Sequence, residues 1–283
     1  MTRNKNVYTG KPPKSFKFKH IIYEKNSYKA RITINREKVL NCLNLTTIIE
    51  LSTAFKDASW DDNIAVIILT GAGKKAFSTG ADLDEQGEHF LGNPNDYYKW
   101  MYEFIQLHEV MRNVGKPTIA RLNGIVVGGG NELNMSCDLA IAADHIYIRQ
   151  VGAARGSVAA AGATQFLPLL VGDRRAREIL FLCEEIPAHK ALEWGLVNEV
   201  VPYSKIDEAV DVMAEKLFNK LPECLRYTKQ QLNFWRDLSW HTTIGHAREW
   251  LSIHNLSSEV KEGINSFAEK RNVNYKKVRK VKK

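Results

Sequence analysis

The sequence predicts an α/β protein with one large core and a helical C-terminal region. Short β-branched apolar runs alternate with longer stretches of helical spacing as far as about residue 203. Glycine-rich turns follow two of these runs, and the strand patterns stop after residue 204. We therefore expect a core over residues 20–203 and a helical region over residues 204–274. A basic flexible arm, residues 1–19, precedes them and a basic tail, residues 275–283, follows.

The first elements form a hairpin, a helix and a buried strand. Residues 20–37 alternate apolar and polar side chains around a turn, which predicts a β-hairpin. Residues 46–58 have helical spacing, with Thr46 or Thr47 as the predicted cap. The run IAVIILTG that follows is uniformly apolar, as is typical of a strand buried on both faces.

The later elements repeat this rhythm. Residues 97–114 predict a long helix that ends before Pro117, and PTIARLNGIVV predicts a second buried strand. The glycines at 128–130 open a helix, and a strand follows it. Another strand, a segment of small residues and a helix complete the core, and residues beyond 204 predict helices alone, one of them rich in aromatic residues.

Composition indicates an ordinary globular chain. Of its 283 residues, 44% are hydrophobic and 25% are charged. No apolar run approaches the roughly 20 residues that span a bilayer, and the N-terminus lacks the apolar segment of a secretory signal. We expect a cytoplasmic protein with no membrane partner. The four cysteines are scattered, so the sequence predicts neither a metal site nor a disulfide framework.

The net charge of +8 lies in the two ends of the chain. Residues 1–20 carry six Lys or Arg, residues 276–283 carry another six, and neither segment has an acidic residue. The rest holds 28 basic against 32 acidic residues, a net charge of −4. Because no basic face runs through the body, nucleic acid is an unexpected partner.

Two glycine-bearing turns carry the strongest chemical signal. Gly80 and Ala81 follow one apolar strand, and Gly128 and Gly129 follow another. Backbone N–H groups in such turns are free to face a ligand, so two meeting turns would offer two donors to one oxyanion; each is otherwise a tight turn required for packing. Glu132, just beyond, is either an acid–base group with a raised pKa or a glutamate that favours the helix dipole.

Several ordered strings resemble the enoyl-CoA hydratase (crotonase) superfamily. They are INREKVLNCLN (34–44), AFSTGADL (76–83), NGIVVGGGNELNMSCDLAIAAD (123–144), GSVAAAGATQFLPLLVG (156–172) and A-x-x-A-x-x-W-G-L-V-N-E-V-V-P (188–202). The resemblance covers about residues 20–270. It implies a spiral of ββα units with a C-terminal helical trimerisation region, an acyl-CoA substrate, and a homotrimer or a hexamer of paired trimers. It implies no metal and no cofactor beyond the coenzyme A of the substrate.

The resemblance also implies roles for single residues. Ala81 and Gly129 would donate oxyanion-hole N–H groups to the thioester oxygen, and Glu132 matches the first catalytic glutamate of the family. Further substrate contacts are implied at Asn41, Cys42, Leu43, Gly80, Gly128, Gly152 and Ser157. Backbone at residues 41–43 would lie near the adenine of coenzyme A.

One position departs from the family pattern. Hydratases carry a second catalytic glutamate in a Q-P-E string, where this chain has Gln150, Val151 and Gly152. Glycine cannot transfer a proton, and it suggests a larger pocket for a bulky or cyclic acyl group. A second proton-transfer group is predicted in the loop after Asp82. The candidates are Glu85, Glu88 and His89, unless that loop is only a solvated charged segment.

The strings GNPNDYYKWM, GATQFLP, LCEEIPAHKA and LPECLRYTKQQL resemble 6-oxocyclohex-1-ene-1-carbonyl-CoA hydrolases, which keep a glutamate at Glu132. This favours hydration and ring opening of an alicyclic oxo-enoyl-CoA, as in benzoyl-CoA breakdown during aromatic degradation. Three alternatives stay open. They are hydration of a cyclic or branched enoyl-CoA without ring cleavage, a 1,4-dihydroxy-2-naphthoyl-CoA synthase activity (whose usual aspartate is replaced by Ala159), and a non-catalytic RNA-binding homologue.

Overall fold

The structure is a computed structural model that describes residues 9–279. Its strands are β1 Ile21–Asn26, β2 Lys29–Ile34, β3 Val66–Gly71, β4 Ala76–Ser78, β5 Thr118–Leu122, β6 Ile125–Val127, β7 Leu139–Ala143, β8 Tyr147–Arg149, β9 Ile186–Pro187 and β10 Glu199–Val201. Its helices are α1 Leu45–Trp60, α2 Leu83–Glu85, α3 Pro94–Asn113, α4 Gly129–Ser136, α5 Gly152–Arg155, α6 Leu167–Val171, α7 Asp173–Leu182, α8 Ala188–Glu193, α9 Ile206–Phe218, α10 Pro222–His254, α11 Ser258–Ala268 and α12 Tyr275–Val278. No helix in this described part is both long and apolar enough to cross a membrane.

The strands form two sheets that the chain visits in turn. The larger sheet has the order β1-β2-β3-β5-β7-β10 and is parallel except for the β1–β2 hairpin. The smaller sheet has the order β4-β6-β8-β9, with β4, β6 and β8 parallel. After the hairpin, the pairs β3–β4, β5–β6 and β7–β8 each add one strand to each sheet before a helical segment follows. This arrangement confirms the predicted α/β class and the spiral of ββα units with a helical C-terminal region.

The second apolar run contains two strands, so the prediction of one strand through PTIARLNGIVV is wrong. The chain turns at Asn123 and Gly124 and passes from the larger to the smaller sheet. A Cβ atom at Gly124 would lie 2.4 Å from the Ala76 nitrogen, so only glycine allows this approach. The Asn123 amide oxygen accepts a hydrogen bond from the Gly71 N–H at 2.9 Å and so joins the ends of β3 and β5.

The cap of α1 also differs from the prediction. The helix begins at Leu45, and the Asn44 side chain accepts a hydrogen bond from the Thr47 N–H at 3.0 Å. Thr46 and Thr47 lie inside the first turn, so they are not the cap. Asparagine fits the capping position because its carbonyl oxygen reaches the free N–H groups of the first turn.

Part of the N-terminal arm packs on the core. The Lys11 N–H donates to Asp57 at 2.7 Å, and the N–H groups of Lys19 and His20 donate to the carboxylate of Glu50 at 2.7 and 2.8 Å. Residues 9–19 are thus held by α1 through backbone hydrogen bonds. The rest of the predicted flexible arm and the end of the basic tail, residues 1–8 and 280–283, lie outside the described residues.

A buried ion pair joins α10 to α3. The Arg112 guanidinium contacts the Asp237 carboxylate at 2.6 Å, and both side chains are buried. The Arg112 guanidinium also lies 4.2 Å from the centre of the Trp240 ring. Cation–π contact and ion pairing together compensate the desolvation of the guanidinium.

Removing one partner of this pair should be costly, because the other charge stays buried. We expect Asp237→Ala to lower the free energy of unfolding by about 3–5 kcal/mol. The matched control is Glu223→Ala, which breaks the exposed i,i+3 pair with Arg226 on the same helix and should cost below about 1 kcal/mol. Urea unfolding of both variants measures the difference, and equal losses would contradict this account of α10.

Candidate active site

A cavity of about 180 Å³ lies at one edge of the smaller sheet. Its floor is formed by Gly80, Gly128 and Gln150, which follow the carboxyl ends of β4, β6 and β8. These strands are parallel neighbours, so the loops after them open at the same edge. Aromatic side chains of α3, including Tyr97 and Trp100, form an apolar wall. The cavity therefore combines exposed backbone with an apolar lining.

The two glycine turns meet in this cavity. Gly80 has a φ of +82° and Gly128 a φ of +54°, which side chains disfavour. A Cβ atom at Gly80 would lie 2.8 Å from the Gly129 nitrogen, and one at Gly129 would lie 3.3 Å from the Gly80 Cα. The first contact requires glycine at position 80, and the second leaves little room for a side chain at position 129. The sequence alone does not determine whether these turns meet, and the structure brings them together.

Two backbone N–H groups are free where the turns meet. The Leu43 N–H donates to the Gly80 oxygen at 2.7 Å and the Asp82 N–H donates to the Leu43 oxygen at 3.0 Å. In this parallel bridge the Ala81 N–H faces away from Leu43. The Gly129 N–H is in the first turn of α4, where helical N–H groups have no intrahelical partner. Within residues 9–279 neither N–H donates a hydrogen bond, so both can bind an oxyanion.

Glu132 lies one turn into α4 on the cavity wall. Its side chain is 4% exposed, and its carboxylate accepts a hydrogen bond from the Ala160 N–H at 2.9 Å. Burial raises the pKa of Glu132 to about 8, and the Ala160 N–H opposes part of that shift. Among the described residues of the cavity wall Glu132 is the only carboxylate. It can therefore accept and return a proton near neutral pH.

The raised pKa of Glu132 makes stability depend on pH. Between the unfolded value of 4.5 and about 8 the folded protein binds the extra proton, so this stabilisation is present at low pH and is lost as the pH rises through 8. Glu132→Gln removes the titration. Relative to the wild type, we expect the variant to gain about 4 kcal/mol of unfolding free energy between about pH 5 and pH 9.

Urea unfolding at the two pH values measures this gain. The control, Glu193→Gln on the exposed face of α8, should show no such gain. A pH-independent difference between wild type and Glu132→Gln would show that the carboxyl is not desolvated in the folded protein.

Gly152 serves close packing instead of opening space. A Cβ atom there would lie 2.9 Å from the Ser157 oxygen and 3.1 Å from the Ala159 nitrogen. The expectation that this glycine enlarges the pocket is therefore wrong, because the backbone at 157–159 fills the space next to it. Ser157 and Gly152 both line the cavity, and the Ser157 N–H donates to the Gly152 oxygen at 2.9 Å.

The three candidates for a second proton-transfer group are not in the cavity wall. The Glu85 carboxylate accepts hydrogen bonds from the Leu45 N–H at 3.0 Å and the Trp100 indole N–H at 3.2 Å. Glu88 and His89 have exposed side chains. The chain forms a π-helical turn at Gln86–Phe90 that directs Gln86 and Phe90 inward. The structure thus places the charged side chains of this loop outside the cavity.

The segment at residues 41–43 supports the turn at Gly80 and Ala81. The Asn41 side chain donates to the Ala76 oxygen at 2.8 Å and accepts from the Arg36 N–H at 3.0 Å. Leu43 carries the backbone bridge to Ala81. Burial raises the pKa of the Cys42 thiol to about 12, so it stays protonated. A contact of this segment with adenine stays a prediction.

Sequence reasoning missed much of the cavity lining. Tyr97, Trp100, Met101 and Phe104 lie along one face of α3 and all line the cavity. Their i, i+3, i+4, i+7 spacing was visible but is also typical of a core-facing stripe. Burial and the charge of Glu132 raise the pKa of Tyr97, so its phenol stays neutral.

The C-terminal helices of the same chain cover the cavity. Leu251 and His254 of α10 and Val260 and Ile264 of α11 line it from above. A Cβ atom at Gly263 would lie 1.8 Å from the Arg155 oxygen, so a glycine in α11 is required for its approach to α5. The roof is thus built by close packing within one chain.

Comparisons with known proteins agree with this architecture. Residues 24–279 match the family model described as enoyl-CoA hydratase/isomerase. An enoyl-CoA hydratase from Bacillus anthracis is 32% identical with a TM-score of 0.74, over 91% of this chain and 99% of the other. An enoyl-CoA hydratase/isomerase from Xanthobacter autotrophicus is 26% identical with a TM-score of 0.82, over 89% and 94%. An enoyl-CoA hydratase from Mycobacterium avium subsp. paratuberculosis shares the fold at 24% identity and a TM-score of 0.82, over 91% and 98%.

Proposed function

Because the chain belongs to the enoyl-CoA hydratase/isomerase family, we propose that it hydrates and then ring-opens an alicyclic oxo-enoyl-CoA such as 6-oxocyclohex-1-ene-1-carbonyl-CoA. The observation that carries this proposal is Glu132. It is a single buried carboxylate with a pKa near 8, one helical turn from the Gly129 N–H, in an aromatic-walled cavity. One carboxylate can serve both steps, because both pass through the same enolate.

In the first step water adds across the ring double bond. The thioester oxygen accepts hydrogen bonds from the Ala81 and Gly129 N–H groups, and Glu132 takes a proton from the attacking water. The hydroxyl binds the β-carbon, and the electron pair moves to the thioester as an enolate. Protonated Glu132 then returns its proton to the α-carbon. Oxyanion donors favour this step because they bind the enolate more strongly than the neutral thioester.

In the second step water cleaves the ring. A second water adds to the ring ketone with loss of a proton to Glu132, and the bond from the former ketone carbon to the α-carbon breaks. The ketone carbon becomes a carboxylic acid, and the electron pair again forms the thioester enolate, which Glu132 protonates. Both steps consume only water and keep all electrons paired. The proposal therefore requires no cofactor beyond the coenzyme A of the substrate.

Kinetics on a panel of thioesters test the proposal. We expect the highest kcat/KM with 6-oxocyclohex-1-ene-1-carbonyl-CoA, a lower value with a cyclohexadienoyl-CoA, and the lowest with crotonyl-CoA. The apolar wall at Tyr97 and Trp100 favours the ring over the short chain. Hydration of cyclic enoyl-CoA without ring opening is the alternative. A preference for crotonyl-CoA would contradict both.

The exposed apolar face of α10 supports assembly into a homotrimer or a hexamer. Phe234 and Trp235 are each 72% exposed, and Leu232 and Leu238 lie beside them on the same helix. Apolar surface of this kind is typical of a protein interface. Light scattering should give three or six chain masses for the wild type. Phe234→Glu/Trp235→Glu should lower the mass, whereas Val212→Glu, exposed on α9, should leave it unchanged. A monomeric wild type would contradict the proposed assembly.

A further inference from the structure

Two glutamine side chains in the cavity wall have no hydrogen-bond partner. Gln86 is 6% exposed and Gln150 is 1% exposed, and both line the cavity. The amide nitrogen of each is enclosed and makes no hydrogen bond within residues 9–279. A buried amide without a partner costs free energy that folding does not recover. Both amides therefore call for an explanation.

Two buried asparagines show what a structural role looks like, although within residues 9–279 the buried amide nitrogen of Asn131, outside the cavity lining, also has no partner. The Asn41 amide nitrogen donates to the oxygens of Ala72 and Ala76 at 3.0 and 2.8 Å. The Asn123 amide makes hydrogen bonds through both its oxygen and its nitrogen. These two asparagines fix turns of the fold. The amide nitrogens of Gln86 and Gln150 hold no turn of the fold through hydrogen bonds. Unlike the two asparagines, these glutamines lie on the wall of the cavity.

The positions of the two glutamines fit contact with the acyl group. Gln150 directly follows β8, beside the turn at Gly128, and Gln86 begins the π-helical turn, which packs against α3. The rest of that wall is largely apolar. Because each amide nitrogen is enclosed, donation to a ligand requires the amide plane to turn about its last torsion angle, which exchanges its nitrogen and oxygen. The amide can then donate to a ketone oxygen, and in either orientation it can pair with a hydroxyl. It is neutral, so it matches a neutral oxygen better than a charged group.

We propose that Gln86 and Gln150 bind a neutral oxygen, ketone or hydroxyl, on the ring of the acyl group, and so select an oxygenated ring over a plain one. This inference rests on the proposed function because it assigns a substrate class to the same cavity. A ring without the oxygen should bind more weakly, because the two amides then stay buried without hydrogen-bond partners. Water held by the two amides is the competing explanation, and it predicts no preference for the oxygenated ring.

Binding measurements separate this inference from turnover. In a Glu132→Gln background, titration calorimetry compares 2-hydroxycyclohexane-1-carbonyl-CoA with cyclohexanecarbonyl-CoA. We expect the hydroxylated ligand to bind about tenfold more tightly. Gln86→Leu and Gln150→Leu keep the volume and remove the hydrogen bonds, so each should reduce that preference by about fivefold. Gln86→Met and Gln150→Met repeat the test should a leucine variant fail to fold.

Gln165→Leu is the matched control, because Gln165 is also buried but is hydrogen-bonded to Thr243 at 2.8 Å and lies outside the cavity lining. It should leave the ligand preference unchanged. Equal binding of the two ligands, or equal loss for both in the Gln86 and Gln150 variants, would overturn the inference. Neither outcome depends on turnover, so failure here leaves the ring-opening proposal standing, and failure of ring opening leaves this preference measurable.

Discussion

Glu132→Gln should lower kcat by about 1,000-fold, the largest effect expected from any single substitution in the cavity. The glutamine oxygen can still accept the hydrogen bond from the Ala160 N–H, so the shape of the wall is kept. It cannot accept the proton of the attacking water. Because substrate contacts are retained, KM should change little. Steady-state kinetics on the preferred thioester, with circular dichroism to verify folding, measure the loss.

The pH profile of the wild type gives a second measure of the same group. Water activation needs ionised Glu132, so kcat/KM should rise with pH and level off above about 8, the value to which burial raises its pKa. A kcat within about tenfold of the wild type in Glu132→Gln would remove Glu132 from proton transfer.

Gly80→Ala should lower kcat by about 100-fold, because it separates the two oxyanion turns. The new Cβ atom would lie 2.8 Å from the Gly129 nitrogen and 3.0 Å from the Val127 oxygen. Either the Gly129 N–H or the turn at Ala81 must move. The two N–H groups can then no longer donate to the same oxygen. A displaced donor loses most of its stabilisation of the enolate, since oxyanion binding depends on short, directed hydrogen bonds.

Gly172→Ala is the matched control for backbone strain. Gly172 has a φ of +83°, almost the same as the +82° of Gly80, and a Cβ atom there meets no atom within 4 Å. Gly172→Ala should cost about 1–3 kcal/mol of stability, because a φ of +83° with a ψ of 154° is a conformation that almost only glycine adopts. Only the variant at Gly80 should lose activity. Equal activity in the two variants would contradict the assignment of these turns as the oxyanion hole.

Local patterns predicted the fold because the spacing of apolar residues along each strand and helix reflects which of its faces are buried. Examples are the uniformly apolar run of β3 and the helical spacing of apolar residues in α1 and α3. The division at Asn123 and Gly124 was missed because it depends on contact with Ala76, far away in sequence. The true cap, Asn44, was overlooked because Thr46 and Thr47 stand nearer to the isoleucines at 48 and 49.

The candidate site was predicted only where the backbone determines it. The glycines at 80 and 129 and the position of Glu132 follow from turns and one short helix. Gln86 and Gln150 could not be predicted. Their role depends on the direction in which the π-helical turn and the end of β8 orient these side chains. The space beside Gly152 was misjudged because the chain folds back after α5, so that the backbone of Ser157, five positions later, fills it.

Product analysis in water labelled with heavy oxygen tests the central claim most directly. Purified protein is incubated with 6-oxocyclohex-1-ene-1-carbonyl-CoA and the products are weighed by mass spectrometry. We predict a ring-opened product that has gained two waters, with one labelled oxygen in a hydroxyl group and one in a new carboxyl group, and no such product from Glu132→Gln. A product that has gained a single water, with its ring intact, would contradict ring opening and leave the protein a hydratase of cyclic enoyl-CoA.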